Sequence, residues 1–209
     1  MKHEKPPLRP ITERRRRRMV EVLERRQPDL TVVLENVHDP HNVSAVLRTC
    51  DAVGIATVHL VYTIEERPEL SRGVSASALR WLDVVDHESI SDCYVALRAQ
   101  GFTILATHLD ENRVELFDLD LTAPTALVFG NEQRGVSEEA VAGADGTVII
   151  PMMGMVQSLN ISVACAVTLY EALRQRRAAR LYEQPRLSRS EIGTRLDRWL
   201  RRERRIIRP

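Results

Sequence analysis

Residues 30–35 read Leu-Thr-Val-Val-Leu-Glu (LTVVLE), an aliphatic and β-branched run without sustained polar–apolar alternation. Such a run is a strand covered on both faces. Just beyond it, Val43, Val46, Leu47 and Cys50 recur at i, i+3, i+4 and i+7. That stripe predicts a helix over His41–Ala52, with Gly54 past its end. Thr57–Tyr62 (TVHLVY) reads as the next strand, Trp81–Val85 as another, Ile90–Ala99 as a helix and Phe102–Thr107 (FTILAT) as a strand. Thr125–Phe129 (TALVF) and Thr147–Ile150 (TVII) are two more buried strands, separated by a loop and a short helix from Ser137. A long helix starts near Ser158 and runs to about Leu181. Strands of this kind alternating with helices predict an α/β fold, a mostly parallel sheet with helices on both faces. No internal repeat is present.

The chain of 209 residues fits one domain with terminal appendages and can bury a real core without staples. With 4% aromatics among 44% apolar residues, that core must come from Val, Leu, Ile and Ala. The longest apolar stretches, Thr147–Val156 and Val163–Leu169, fall far short of the ~20 residues of a membrane span. The N-terminus is Lys, Pro and Arg without an apolar segment, so no signal peptide is expected. Cys50, Cys93 and Cys165, odd in number and among apolar neighbours, fit reduced core thiols in a cytoplasmic protein. No His/Cys group has metal-ligand spacing, so no metal is expected.

The net charge of +1 conceals a segregation. Residues 1–28 carry ten Lys/Arg against four Glu, and residues 172–209 carry thirteen Arg against four acids. The stretch between them holds seven Arg against twenty-one acids. Two basic ends therefore flank an acidic body, which points to nucleic acid. Arg is also the side chain that grips phosphate bidentately and stacks on bases. Three regions follow: a basic N-terminal extension, 1–28, with a helix over Thr12–Gln27; a body, 29–181; and a basic C-terminal extension, 182–209. The last comprises a linker, Gln184–Ser190, and a segment Glu191–Arg205. Candidate nucleic-acid contacts are Arg14, Arg15, Arg16, Arg17, Arg18, Arg25, Arg26, His41, Arg174, Arg176 and Arg177.

An open α/β sheet binds ligands beyond the C-terminal ends of its strands. Neither G-x-x-x-x-G-K-[ST] nor G-x-G-x-x-G after a strand is found there, and no G-x-S-x-G elbow. Three other loops are unusual: His38-Asp39-Pro40-His41-Asn42 before the helix with Arg48, Gly130-Asn131-Glu132-Gln133-Arg134-Gly135 after TALVF, and Pro151–Ser162 (PMMGMVQSLNIS) after TVII. N-x-x-x-x-x-R, F-G-N-E-x-x-G and I-P-M-x-G-x-x-x-S-L-N-I-S-V-A, in this order, resemble the three motifs of the SpoU (TrmH-type) RNA ribose 2′-O-methyltransferases of the SPOUT class. The resemblance spans Leu30 to about Arg174. It implies a C-terminal deep trefoil knot holding S-adenosyl-L-methionine, and a homodimer. R-R-Q-P-D-L before the first strand and the stretch Glu35–Gly54 further resemble the branch acting on a guanosine of transfer RNA. The Arg14–Arg18 run is heavier, and the C-terminal extension shorter and richer in Arg, than that branch leads one to expect.

Arg48 shares the polar face of its helix with Ser44 and Asp51, where a solvated surface role is the alternative to a catalytic one. The family resemblance makes it catalytic. A guanidinium with pKa above ~12 is a poor base, so its expected role is to bind the adjacent phosphate and stabilise developing alkoxide charge. Asn42 is either a helix cap or an active-site partner of that Arg, Glu132 either a turn residue or part of the pocket, Ser158 either the cap of the last helix or part of the site, and Asn160 either a polar residue in that helix's first turn or part of the site. The resemblance favours the functional reading for all four. It also assigns the cofactor to the strand and helix ends at Thr107, Gly130, Ile150 and Leu159, where backbone groups can read an adenine edge. Met152, Met153 and Met155 either pack on the cofactor or fill the core.

The expected activity is thus methylation of a ribose 2′-hydroxyl in RNA, most of all the conserved D-loop guanosine of transfer RNA. A ribosomal-RNA substrate within the same family is the rival reading, although thirty N-terminal residues are few for a separate RNA-binding domain. A non-catalytic RNA-binding protein is the rival from another class, and the joint presence of Asn42, Arg48, Glu132, Ser158 and Asn160 counts against it.

Overall fold

The computed structural model describes residues 11–68, 78–108 and 114–206; the first ten residues of the basic N-terminal extension lie outside them. Seven parallel strands form one sheet in the order β3-β2-β1-β6-β4-β7-β5. Strand β1 (Leu30–Glu35) sits between β2 (Thr57–Val61) and β6 (Thr125–Phe129), with Val32 opposite both Val58 and Leu127. Every residue of β1 and β6 is buried, as the uninterrupted aliphatic runs require of strands covered on both faces.

The pleat divides these side chains between two cores. Leu30, Val32 and Leu34 join Leu47, Cys50, Cys165 and Leu169 on one face, under α2 (Pro40–Val53) and α5 (Ile161–Ala178). Val33, Val128, Ile104 and Ala106 join Cys93, Leu97 and Ala140 on the other, under α3 (Ile90–Arg98) and α4 (Glu138–Gly143). Strands β4 (Thr103–Thr107) and β7 (Gly146–Ile149) extend the sheet past β6. The two-residue β5 (Val114–Glu115) closes that edge and leads into a 3-10 turn at Leu116–Asp118, neither of which the periodicity announces. All three cysteines are free and buried.

Several boundaries depart from the sequence reading, among them the end of the N-terminal helix, which stops at Glu24 and not at Gln27. The strand expected at Trp81–Val85 is β3, Asp83–His87. Trp81 instead closes a turn onto the Ala78 carbonyl and meets Trp199 edge-on at 5.0 Å. The last long helix begins after Asn160, whose side chain accepts from Ser162 N–H, so Ser158 is not its cap. It also stops at Ala178, because Arg180 adopts φ 61° and the Leu181 N–H turns back to the Arg176 carbonyl. That is a Schellman ending.

The two basic ends meet. Helix α1 (Glu13–Glu24), capped by Thr12, packs Met19 and Leu23 against Leu196 and Trp199 of α6 (Arg189–Ile206). Arg15 pairs with Glu203 at 3.1 Å and lies over Trp81. No helix among the described residues is long and apolar enough to cross a membrane.

Candidate active site

The C-terminal ends of β1, β6 and β7 carry the three unusual loops, and hydrogen bonds lock them together. After β1, Asn36 takes the left-handed region at φ 51°, which Asn tolerates better than most residues. Its Oδ1 accepts from the backbone N–H groups of Thr63, Ile64 and Glu65, and its carbonyl accepts the Asn131 side-chain amide at 2.9 Å. One residue earlier, the buried Glu35 carboxylate accepts both the N–H and the hydroxyl of Ser137, the cap of α4. Asn131 and Gly135 pair reciprocally at 2.9 and 2.8 Å, closing the loop after β6 into a tight hairpin.

That hairpin holds Glu132 against the first loop. Its carboxylate accepts the backbone N–H groups of His38 and Asp39, both at 3.2 Å, and the Asn42 side-chain amide at 3.0 Å. Burial alone would push the Glu132 carboxyl up, but these donors outweigh it and hold the group below its ordinary range. Asn42 in turn accepts the Asn160 side-chain amide at 3.2 Å. Glu132, Asn42 and Asn160 therefore form one chain linking α2 to the segment before α5. Asn42 is not the cap of α2: Asp39 is, accepting from His41 N–H, with Pro40 at the first helical position.

Beside this chain lies a cavity of about 360 Å³, within the ~300–1,000 Å³ range of small-molecule sites. Thr107, Gly130, Ile150 and Leu159 all line it, together with Glu132 and Ser158. Four of the six arrive from four segments at least nine residues apart, which no local pattern brings together. His108, Met152, Gln157 and Thr168 add to the wall; of these, sequence reasoning assigns only Met152, and for His108 the position just after a strand end was an available signal. Apolar Phe129, Val148 and Ile161 complete it. Met153 and Met155 are 94% and 98% exposed, so neither fills the core. Arg48 is exposed on α2 and is not among the cavity's lining residues, and Ser44, expected beside it on a polar face, is buried and bonded to the Pro40 carbonyl.

Two candidate nucleic-acid contacts are corrected. Arg26 is 1% exposed and donates to the carbonyls of Ile55 and Trp81 and to Asp51. Arg176 is fully buried and donates to Asp29, Gln27 and the carbonyls of Leu121 and Ala123. Both guanidinium groups are spent on internal acceptors and cannot reach an outside phosphate. Arg14, Arg16, Arg17, Arg25, His41 and Arg177 are exposed, whereas Arg18 pairs with Glu21 and Arg174 with Glu171. Glu35, Asn36 and Asn131, which build the loop framework, escaped notice; a carboxylate ending a fully aliphatic strand was the available signal for Glu35.

Comparison with known proteins places this geometry. A tRNA (guanosine(18)-2′-O)-methyltransferase of Thermus thermophilus is 51% identical over 195 residues, covering 93% of this chain and all of that one. Among solved structures, the Aquifex aeolicus TrmH/SpoU tRNA modifying enzyme superposes with a TM-score of 0.86 at 40% identity, covering 91% of this chain and 97% of its own. The SpoU methyltransferase AviRb from Streptomyces viridochromogenes, solved in complex with the cofactor AdoMet, superposes with a TM-score of 0.64 at 31% identity, over 73% of this chain and 62% of that one. Residues 29–170 match the model of the SpoU rRNA Methylase family, and the chain belongs to that family.

Proposed function

We propose that the protein is a tRNA (guanosine-2′-O-)-methyltransferase acting on the D-loop guanosine, with S-adenosyl-L-methionine as methyl donor. The observation that carries the reading is the single cavity that gathers Thr107, Gly130, Ile150 and Leu159 beside Glu132 and Ser158. Its apolar walls suit the neutral parts of that cofactor, strand-end backbone groups can read the adenine edge, and the Glu132 carboxylate favours a cationic sulfonium nearby. The donor set fits the group. When bound, S-adenosyl-L-methionine supplies an electrophilic methyl group that passes to the ribose 2′-oxygen. Identity of 51% across 93% of the chain to an enzyme named for tRNA guanosine 18 favours tRNA over the ribosomal substrate in the family's description.

The chain's own residues do the rest. Arg48 holds the phosphate next to the target ribose and stabilises charge as it develops on the 2′-oxygen. The hydroxyl proton leaves toward an oxygen of that phosphate. Glu132 and Asn42 position the loop from which α2 and Arg48 project, and Asn160 ties the cavity-side segment to the same point. The basic extensions, 1–28 and 182–209, dock the RNA in the cytoplasm. In this reading the segment from Pro151 into α5 is tucked into a deep trefoil knot. A second copy of the chain covers the exposed apolar residues Met153, Met155, Val156, Val163 and Tyr170.

The test is transfer of a labelled methyl group to a tRNA transcript, followed by nuclease mapping. The label is expected on the ribose of one D-loop guanosine; label on a base, or no transfer to any transcript, overturns the reading. Arg48→Ala should lower kcat by more than tenfold, about 1.4 kcal/mol of transition-state stabilisation, with the fold and cofactor binding intact. A variant that keeps wild-type turnover removes Arg48 from the mechanism.

A further inference from the structure

On the far side of the sheet from α2 and α5, three donors converge that no stretch of sequence places together. His59 lies in β2, His87 ends β3 and Cys93 sits in α3. His59 Nδ1 and His87 Nε2 are 2.8 Å apart, and a ring nitrogen of each histidine lies within 4.8 Å of Cys93 Sγ. His59 and Cys93 are buried, while His87 is half-buried at the sheet edge. Both histidines also line a second cavity, of about 450 Å³, between the β3 edge and α6.

We propose that His59, His87 and Cys93 form a binding site for one borderline-soft divalent transition-metal ion, zinc being the ion this donor set favours, which clips β2, β3 and α3 together. Imidazole nitrogen and thiolate sulfur are both donors that zinc takes, and the cavity leaves a fourth position for water. Metal–nitrogen bonds of ~2.05 Å and a metal–sulfur bond of ~2.3 Å at the tetrahedral angle require donor separations of about 3.4 and 3.6 Å. The two nitrogens must part slightly and the sulfur must move in by about an ångström, motions that side-chain rotation supplies. The ion takes the place of the hydrogen now shared between the rings, and that hydrogen moves to the outer nitrogen of its own ring. The thiol S–H breaks as the sulfur–metal bond forms, so one proton leaves to solvent.

The surroundings tolerate the added charge. The carboxylates of Asp92 and Asp86 act on His87 in the direction that favours a cation. Across the cavity, the Asp83 carboxylate accepts from both Arg195 and Arg198, and Arg202 donates to the carbonyls of Leu79, Arg80 and Leu82, so all three guanidinium groups are engaged by acceptors of the protein itself. Burial disfavours the charged form of both imidazoles. Strand β3 is a short sheet edge whose other neighbour is absent among the described residues, and a clip there protects an exposed row of backbone groups.

The experiment is zinc titration of the full-length, metal-stripped chain against a competing chelator dye, paired with cobalt(II) substitution. One ion per chain is expected, with a cobalt spectrum showing tetrahedral intensity and a thiolate charge-transfer band. His87→Gln should weaken zinc binding at least tenfold, and Cys93→Ala should do the same and abolish the thiolate band. His87 is half-buried at an edge, so its variant tests the site even if Cys93→Ala fails to fold. Zinc affinity unchanged in His87→Gln, or a cobalt complex without a thiolate band in the wild type, overturns the proposal, whatever the methyl-transfer activity.

Discussion

The Glu132 carboxylate accepts the Asn42 side-chain amide at 3.0 Å across 90 residues of sequence, so the loop after β6 and the first turn of α2 are one unit. With His38 and Asp39 N–H also donating, the carboxylate has three donors, while Gln could accept through one oxygen only and would turn its own amide toward a donor. Glu132→Gln should therefore lower both thermal stability and methyl transfer. Because the native carboxyl is held below its ordinary range, its contribution is fully present above the unfolded value of ~4.3 and is lost as pH falls through the native one. The Tm gap between wild type and Glu132→Gln should be open at neutral pH and close below about pH 4. A gap independent of pH would show that the charge of Glu132 does not hold the loops.

Gly130 has no space for a side chain. A Cβ built there would lie 2.1 Å from the Gly135 carbonyl oxygen and 2.3 Å from Val136 N, and backbone atoms cannot swing aside. Gly130→Ala should force the Asn131–Gly135 hairpin open, cost about 1–3 kcal/mol in denaturant unfolding as overpacking does, and weaken S-adenosyl-L-methionine binding in equilibrium dialysis. Gly135, at φ 70° with no atom within 4 Å of such a Cβ, is the control. Gly135→Ala should cost only the ~1–2 kcal/mol of a left-handed residue. Equal cofactor affinity in the Gly130 variant and the wild type would place the cofactor elsewhere.

These contacts mark where sequence reading succeeds and where it ends. Strands β1 and β6 carry the expected bounds because burial on both faces imposes an unbroken apolar run. Strand β3 slipped by two residues because it is an edge strand with exposed positions, and because Trp81 belongs to the α1–α6 cluster. The motif residues of the cavity were legible through family resemblance alone, since their convergence depends on the order β6-β4-β7 in the sheet. Arg26 and Arg176 were misread for a physical reason. Whether an Arg meets solvent or a cage of carbonyl oxygens depends on partners 25–149 residues away, and nothing in a basic run distinguishes the two.

The burial of these two arginines yields a sharp test. Arg26→Ala would leave Asp51 and the carbonyls of Ile55 and Trp81 without their donor, and Arg176→Ala would do the same to Asp29 and the carbonyls of Leu121 and Ala123. Removing one partner of such a buried pair costs about 3–5 kcal/mol. Chemical denaturation should show losses of that size for each, against less than about 0.5 kcal/mol for the exposed Arg25→Ala. The slope of RNA affinity against salt should not change in whichever variant folds. A flattened slope would return that arginine to the RNA interface.

The basic ends make the opposite prediction. Helices α1 and α6 share the core of Met19, Leu23, Leu196 and Trp199, so their arginines are carried on one two-helix unit. Arg14, Arg16 and Arg17 stand exposed there, whereas Arg15 already pairs with Glu203. Each phosphate that an exposed arginine neutralises releases counterion, so log K should fall with log salt by roughly 0.7–0.9 per contact. Replacing Arg14, Arg16 and Arg17 with Ser should weaken RNA binding and flatten that slope, with S-adenosyl-L-methionine affinity untouched. Restoring Arg14 alone should recover about one contact's share. Arg15→Ser should change the slope least, because its charge is already met by a carboxylate. Trp199→Ala should undock α6 from α1 and flatten the slope although it removes no charge, since the arginines then lose their common frame. If the triple replacement leaves the slope unchanged, the run on α1 is solvated and RNA must be held by His41, Arg48 and Arg177 on the body of the fold.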